Sequence, residues 1–244
     1  MSQHIRDVLN RRSDLSTFIV HLTRDSESGT ASANLRSIIR ERRLIARTPM
    51  GWAARQVEES PESPACISQR VVCFSETPLE HVYSLVADIS RRKVKLRPYG
   101  LVLTKMRARG MGINPIWYVD CTPGHDWDLA KALDKIRDES ILAGGFETRP
   151  AAALLPFAEP MGTWGGHNRE WWWEREWRHR GDVMLRGPRP VALWLCPADE
   201  IASVAEEVIA EFGSPCHIVD PTWGLEEIIA HLVGETEVSP FSPH

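Results

Sequence analysis

Lysine is nearly absent from this 244-residue chain. It occurs only at positions 93, 95, 105, 131 and 135, and arginine supplies the rest of the 29 basic residues. With a net charge of −4, this argues against a general nucleic-acid coat. Arginine offers planar, bidentate contacts to phosphate, although genome base composition also enriches it. No apolar run approaches the roughly eighteen residues of a membrane-spanning helix. The opening Met1-Ser2-Gln3-His4-Ile5 lacks the apolar core of a signal peptide, so a cytoplasmic location without membrane association is the default expectation. The five cysteines, Cys66, Cys73, Cys121, Cys196 and Cys216, are scattered with no Cys-x-x-Cys pair, which supports neither a disulfide framework nor a structural zinc site. The nine histidines contain no His-x-x-x-His pair, so no metal is expected. Trp164-Gly165-Gly166-His167 lacks the spacing of a phosphate-binding loop, and no Gly-x-Ser-x-Gly elbow is present. A nuclease of the Asp…Glu-x-Lys kind would need lysine where Trp177-Arg178 stand.

What is present is an ordinary globular composition, 43% hydrophobic and 25% charged, at a length suited to one large domain. Residues 1–234 are expected as a single domain, and the Pro-containing stretch 235–244 as a disordered tail. Buried strands are expected over 17–23 and 71–74, further strands over 99–104, 115–119, 154–157 and 191–196, and a short strand over 216–219. Helices are expected from Ala33 to about Arg43 with Ser32 as cap, from Pro78 with Thr77 as cap, and over 126–142, 198–212 and 221–232. The stretch 49–69 shows no periodicity and reads as a loop. Strands and helices mix without strict alternation, which places the fold in the α+β class.

Three strand-like segments carry polar residues that an apolar strand does not need. They are Phe18-Ile19-Val20-His21-Leu22-Thr23, Val71-Val72-Cys73-Phe74-Ser75-Glu76-Thr77 and Glu174-Arg175-Glu176-Trp177-Arg178. A His-x-Thr strand, a Phe-Ser-x-Thr strand and a Glu-x-Glu strand in that order match the layout of an NAD-cleaving ADP-ribosyltransferase site. Cleaving the nicotinamide–ribose bond passes through an oxocarbenium-like state. The site must therefore fix the nicotinamide amide and place a carboxylate beside the ribose, and no metal is needed. In this reading His21 bonds a ribose hydroxyl and Leu22 offers its backbone to the nicotinamide amide. Ser75 lines the pocket, Glu176 stabilises the developing charge and Glu174 meets the nucleophile. Arg178 pairs with Glu176 or meets a phosphate. If 172–178 is extended, Trp172, Glu174, Glu176 and Arg178 share one face. Structural alternatives exist for each: His21 as a strand histidine satisfied by a carbonyl, Thr77 as a helix cap alone, and 168–178 as a helix with its charges solvated.

His21-Leu22-Thr23, followed by Asn34-Leu35-Arg36-Ser37-Ile38-Ile39 and Leu44-Ile45-Ala46, resembles the opening of DarT-type ADP-ribosyltransferases. Val72-Cys73-Phe74-Ser75-Glu76-Thr77-Pro78-Leu79, Tyr99-Gly100-Leu101-Val102-Leu103, Gly112-Ile113-Asn114-Pro115-Ile116-Trp117-Tyr118 and Glu174-Arg175-Glu176-Trp177-Arg178 resemble the abortive-infection AbiGi-type family. The resemblance implies an ADP-ribosyltransferase-like split mixed β-sheet core with peripheral helices. It implies a phage-defence or toxin–antitoxin effector using NAD as substrate, with a nucleic acid or protein as acceptor and a cognate antitoxin or phage protein as partner. It carries over His21 and Thr23 as NAD-contacting, Ser75 as the second-motif residue, Tyr83 as a candidate second-motif aromatic and Glu176 as the catalytic glutamate. The spacer between Thr23 and Asn34 is longer than the pattern. Two rival readings are a catalytically silent antitoxin or phage-protein sensor of the same fold, and an NAD glycohydrolase in which water replaces the acceptor.

Overall fold

The computed structural model describes residues 15–26, 29–88, 94–124, 128–164 and 167–235. The chain forms two compact units, one from 1–43, 76–107 and 185–244, the other from 44–75 and 108–184. Both mix strands and helices, and the α+β expectation holds. Among the described residues no helix is long and apolar enough to cross a membrane.

The first unit is built on the strand Phe18–Arg24, which runs antiparallel to Leu96–Thr104, with His21 opposite Leu101 and Leu22 opposite Gly100. Leu193–Leu195 continues the sheet antiparallel to Leu96–Thr104, and Ile218–Val219 adds to it in parallel. Val20, Leu22, Val102, Leu193, Leu195 and Val219 pack on Val82, Leu85 and Ile228 as one buried cluster. The helix Ala31–Glu41 is capped by Thr30, whose hydroxyl accepts from Ala33 N, rather than by Ser32. Asp25 Oδ1 accepts from Ala31 N at 2.9 Å and satisfies a further free amide of the first turn. The helix Ile201–Phe212 ends as its pattern predicts, with Gly213 left-handed at φ 65° and donating to Ile209 O.

The second unit holds an antiparallel set in which Arg70–Ser75 pairs with Thr48–Pro49 on one edge and Glu176–Arg180 on the other. Asn114–Pro115 adds to the far side of Glu176–Arg180. A separate three-stranded set pairs Trp117–Asp120 in parallel with Ala158–Trp164, which pairs antiparallel with His167–Arg169. The core here is Val57, Cys66, Val119, Leu133, Phe146, Leu155 and their small neighbours.

Several local expectations are corrected. The supposed loop over 49–69 contains two short helices, Ala54–Val57 and Pro64–Gln69, the latter capped by Ser63 with Pro64 in its first turn. The 154–157 segment is not a strand but the end of a 3-10 helix, Pro150–Phe157. Thr77 caps no helix: Pro78 precedes a 3-10 turn, Leu79–His81, with no side-chain cap, and Tyr83–Val86 follows. Between the strands expected over 99–104 and 115–119 lies a helix, Lys105–Gly110. The expected tail beyond 235 and the first two residues of the helix expected over 126–142 lie outside the described residues.

A polar network braces the first unit. Tyr99 Oη donates to Glu200 Oε1, while Ser32 Oγ and Arg36 Nη2 donate to Glu200 Oε2, each at 3.1 Å. The tyrosine hydrogen bond, more than the arginine charge, holds the Glu200 carboxyl below the usual glutamate range. Burial and the neighbouring carboxylate push the Tyr99 hydroxyl up to about 12. Glu200 therefore contributes stability above the pKa of an unfolded glutamate, about 4.3, and that contribution is lost as pH falls through the lower folded value. In thermal melts, Glu200→Gln should be less stable than wild type at neutral pH, and the gap should close on acidification below that range.

At Gly100 two strand backbones leave no space for a side chain. A methyl there would stand 2.0 Å from His21 O and 3.0 Å from Leu22 Cα, both backbone atoms. Gly100→Ala should cost about 1–3 kcal/mol, as overpacking does, read by denaturant unfolding; wild-type stability would contradict this packing.

Candidate active site

In the second unit, the chain enters the sheet abruptly at Glu176. Trp171–Glu174 form a 3-10 turn, and Arg175 is left-handed at φ 47° and ψ 55°, donating to Trp172 O at 3.2 Å. A left-handed non-glycine residue is uncommon, and here it turns the backbone from helical to extended in one step. Neither the fully extended 172–178 segment nor a helix over 168–178 forms. Glu174 sits in the turn with Trp172, and of the four residues expected on one face Glu176 and Arg178 share a strand face. Trp177, between them, is buried opposite Phe74, whereas Trp172 and Trp173 remain exposed.

Glu176 is the first strand residue and lies opposite Ser75, the buried last residue of its neighbour strand; Arg178 lies opposite Cys73. The Glu176 backbone is held on both sides. Its N–H donates to Tyr118 Oη at 3.0 Å, and its carbonyl accepts from Ile116 N at 3.1 Å. The sequence-predicted Ser75, Glu176 and Arg178 are thus brought together by strand register.

Arg178 has no exposed surface. Its Nε donates to Glu176 Oε1 at 2.9 Å and its Nη2 to Glu176 Oε2 at 2.8 Å, a side-on fork. The opposite edge is anchored by Pro156 O, 2.7 Å from Nη1, and Glu159 Oε2, 2.7 Å from Nη2. Of the two roles open for Arg178, pairing with Glu176 is the contact present. The two carboxylates raise the affinity of the guanidinium for its proton against the opposing effect of burial. Two carboxylates on one guanidinium leave one formal negative charge. Burial and the adjoining Glu176 carboxylate push the Cys73 thiol well up, so it stays neutral. Burial also raises the Tyr118 hydroxyl, and the nearby glutamates add to the effect.

The arrangement supplies a carboxylate fixed in direction. Each Glu176 oxygen accepts one N–H from Arg178 and keeps further lone-pair capacity, and the side chain retains 14% exposure. Such a group can face a cation or a hydroxyl without reorienting. Glu159 and Tyr118 are residues that sequence reasoning missed. The only signal for Glu159 was a charge set in the apolar run Leu155-Pro156-Phe157-Ala158-Glu159-Pro160.

The first unit places the other predicted residues. His21 is half-buried in the middle of its strand, and Leu22 is buried against Gly100. Thr23 is buried, and its hydroxyl lies 2.9 Å from Ala31 O and 3.2 Å from Tyr99 O, which joins the strand to the start of helix Ala31–Glu41 and to the facing strand. Asn34 Nδ2 donates to Arg24 O at 2.8 Å and adds a second tie. Tyr83 is not core: it opens a four-residue helix, is 51% exposed and meets His81 edge-on. Among the described residues, no group of three or more His, Cys, Asp or Glu could hold a metal ion.

Truncating Arg178 would leave Glu176 and Glu159 facing one another without a cation. Arg178→Met should cost about 3–5 kcal/mol, as removing one partner of a buried ion pair does. Arg178→Lys should recover little of this because an ammonium cannot fork two oxygens. Chemical denaturation of the three proteins checks both expectations.

No protein-family model matches the chain, and no curated protein matches it. Among solved structures, the chain is similar to DarT of Thermus sp. 2.9 in complex with carba-NAD+, at 13% identity and TM-score 0.39, over 85% of this chain and 97% of that one. The same DarT in complex with NAD+ matches at 12% identity and TM-score 0.39, with the same coverage. Its complex with ADP-ribosylated single-stranded DNA matches at 11% identity and TM-score 0.35, over 84% of this chain and 94% of that one.

Proposed function

We propose that this protein is an NAD-dependent ADP-ribosyltransferase, an effector of phage defence or of a toxin–antitoxin pair, that transfers ADP-ribose to a nucleic acid or protein acceptor. The observation that carries the reading is Glu176. It is the first residue of its strand, stands opposite Ser75 and is aimed by a buried guanidinium. In the reaction the bond between nicotinamide N1 and ribose C1′ breaks. Its electron pair goes to the ring nitrogen, which becomes neutral, and positive charge appears at C1′ and the ring oxygen. Glu176 stabilises that charge without moving. The acceptor then attacks C1′ and gives up its proton, with Glu174 as the carboxylate in the adjoining turn that meets it. His21, Leu22 and Thr23 are assigned to NAD, with Tyr83 as the aromatic contact of the second motif and Ser75 as the pocket residue beside Glu176. Arg178 acts through Glu176. No metal takes part.

A second reading draws on the same fork. Both Glu176 oxygens accept from a buried cation, which offsets the charge an oxocarbenium ion needs. A silent member of the same architecture, acting as an antitoxin or a sensor of phage proteins, would tolerate this.

The test is purified protein with NAD, followed by free nicotinamide, with and without DNA, RNA and lysate. Acceptor-dependent release that falls by about 10²–10³ in Glu176→Gln is the expected result. Release without any acceptor would make the enzyme a glycohydrolase. No turnover in any condition, with wild type and Glu176→Gln alike, would establish the silent reading.

A further inference from the structure

We infer that Glu159 is a positioning residue for the reaction, acting on Glu176 through Arg178; this rests on the reading above. One carboxylate suffices to neutralise one guanidinium, and a second brings like-charge repulsion. Yet Glu159 and Glu176, 20% and 14% exposed, both bond to the same nitrogen, Arg178 Nη2, at 2.7 and 2.8 Å. The second carboxylate does two things the first cannot do for itself.

The first is orientation. Glu176 and Arg178 lie two residues apart on one strand, so a pair made by them alone could swing together about their side-chain torsions. Glu159 and Pro156 O belong to a different segment and grip the far edge of the guanidinium. With both edges held, the plane of the guanidinium is set, and the fork passes that plane to the Glu176 carboxylate. Glu159 is itself placed by the sheet: it lies in parallel register opposite Tyr118, whose hydroxyl receives the Glu176 N–H. One strand pair thus supports the backbone and the side chain of Glu176.

The second is charge. With Glu176 alone, the pair would be neutral and its carboxylate largely spent on Arg178. Sharing the guanidinium with Glu159 leaves the group with one net negative charge, available to a developing cation at short range. Cys73, on the facing strand, adds none, because its thiol is held neutral.

The test uses the full chain and measures kcat and KM for NAD, with melting temperature, in wild type, Glu159→Gln and Glu159→Ala. Glu159→Gln retains an oxygen to accept from Arg178 and loses only the charge; Glu159→Ala loses both. The expected result is a kcat lowered about tenfold in the first and toward 10²-fold in the second, with KM little changed. The glutamine variant remains informative if the alanine variant does not fold. A purely structural Glu159 would lower the melting temperature and leave kcat per folded molecule at the wild-type value, and that result overturns the inference. If wild type releases no nicotinamide, the proposed function fails, and Glu159 is then judged from crystal structures of wild type and Glu159→Gln or Glu159→Ala. A displaced Glu176 carboxylate in the variant supports positioning, and an unmoved one refutes it.

Discussion

A fully buried guanidinium is the constraint around which the second unit is organised. Taking Arg178 out of water costs several kcal/mol unless its donors and its charge are met. They are met from two parts of the chain: Glu176, on the same strand, and the carbonyl of Pro156 with the carboxylate of Glu159, some twenty residues earlier. Each partner is of little use without the others. Glu159 and Glu176 would repel if Arg178 were lost, and Arg178 would be a bare charge in the core if they were lost. The strand Glu176–Arg180 and the segment that ends the Pro150–Phe157 helix are therefore tied by electrostatics as well as by packing.

Backbone geometry delivers the carboxylate to this cluster. The left-handed Arg175 lets the chain leave a tight turn and become a strand at the residue where Glu176 stands. From that point the period of two puts Glu176 and Arg178 on one face, and antiparallel register sets them against Ser75 and Cys73. Tyr118 takes the Glu176 amide, and Ile116 N donates to the Glu176 carbonyl. The chemistry proposed for Glu176 asks for a carboxylate that does not reorganise, and this is the means by which the fold provides one.

The first unit gains rigidity differently. Gly100 lets two strand backbones approach at His21 and Leu22, and Thr23 bonds both the facing strand and the helix that follows. The network around Glu200 then fastens that helix and Tyr99 to the helix Ile201–Phe212. Thr23 thus helps to hold the end of its strand in shape.

The sequence determined on its own the elements whose signal is local. Buried strands such as Phe18–Arg24 and Arg70–Ser75 follow from runs of apolar and β-branched residues, and the helix Ile201–Phe212 follows from its period and terminal glycine. The α+β class followed from their order, and Ser75, Glu176 and Arg178 stood out because polar groups in apolar strands require a reason. The stretch 49–69 was unreadable because its helices are four and six residues long, too short to show a period. The state of 171–178 was unreadable because a single left-handed residue decides it, and arginine carries no sign of that conformation. Glu159 shows in the sequence only as a charge in an apolar run, which does not say what it meets. A charge is costly or neutral according to what surrounds it, and only folding brings its carboxylate to 2.7 Å from a guanidinium nineteen positions away.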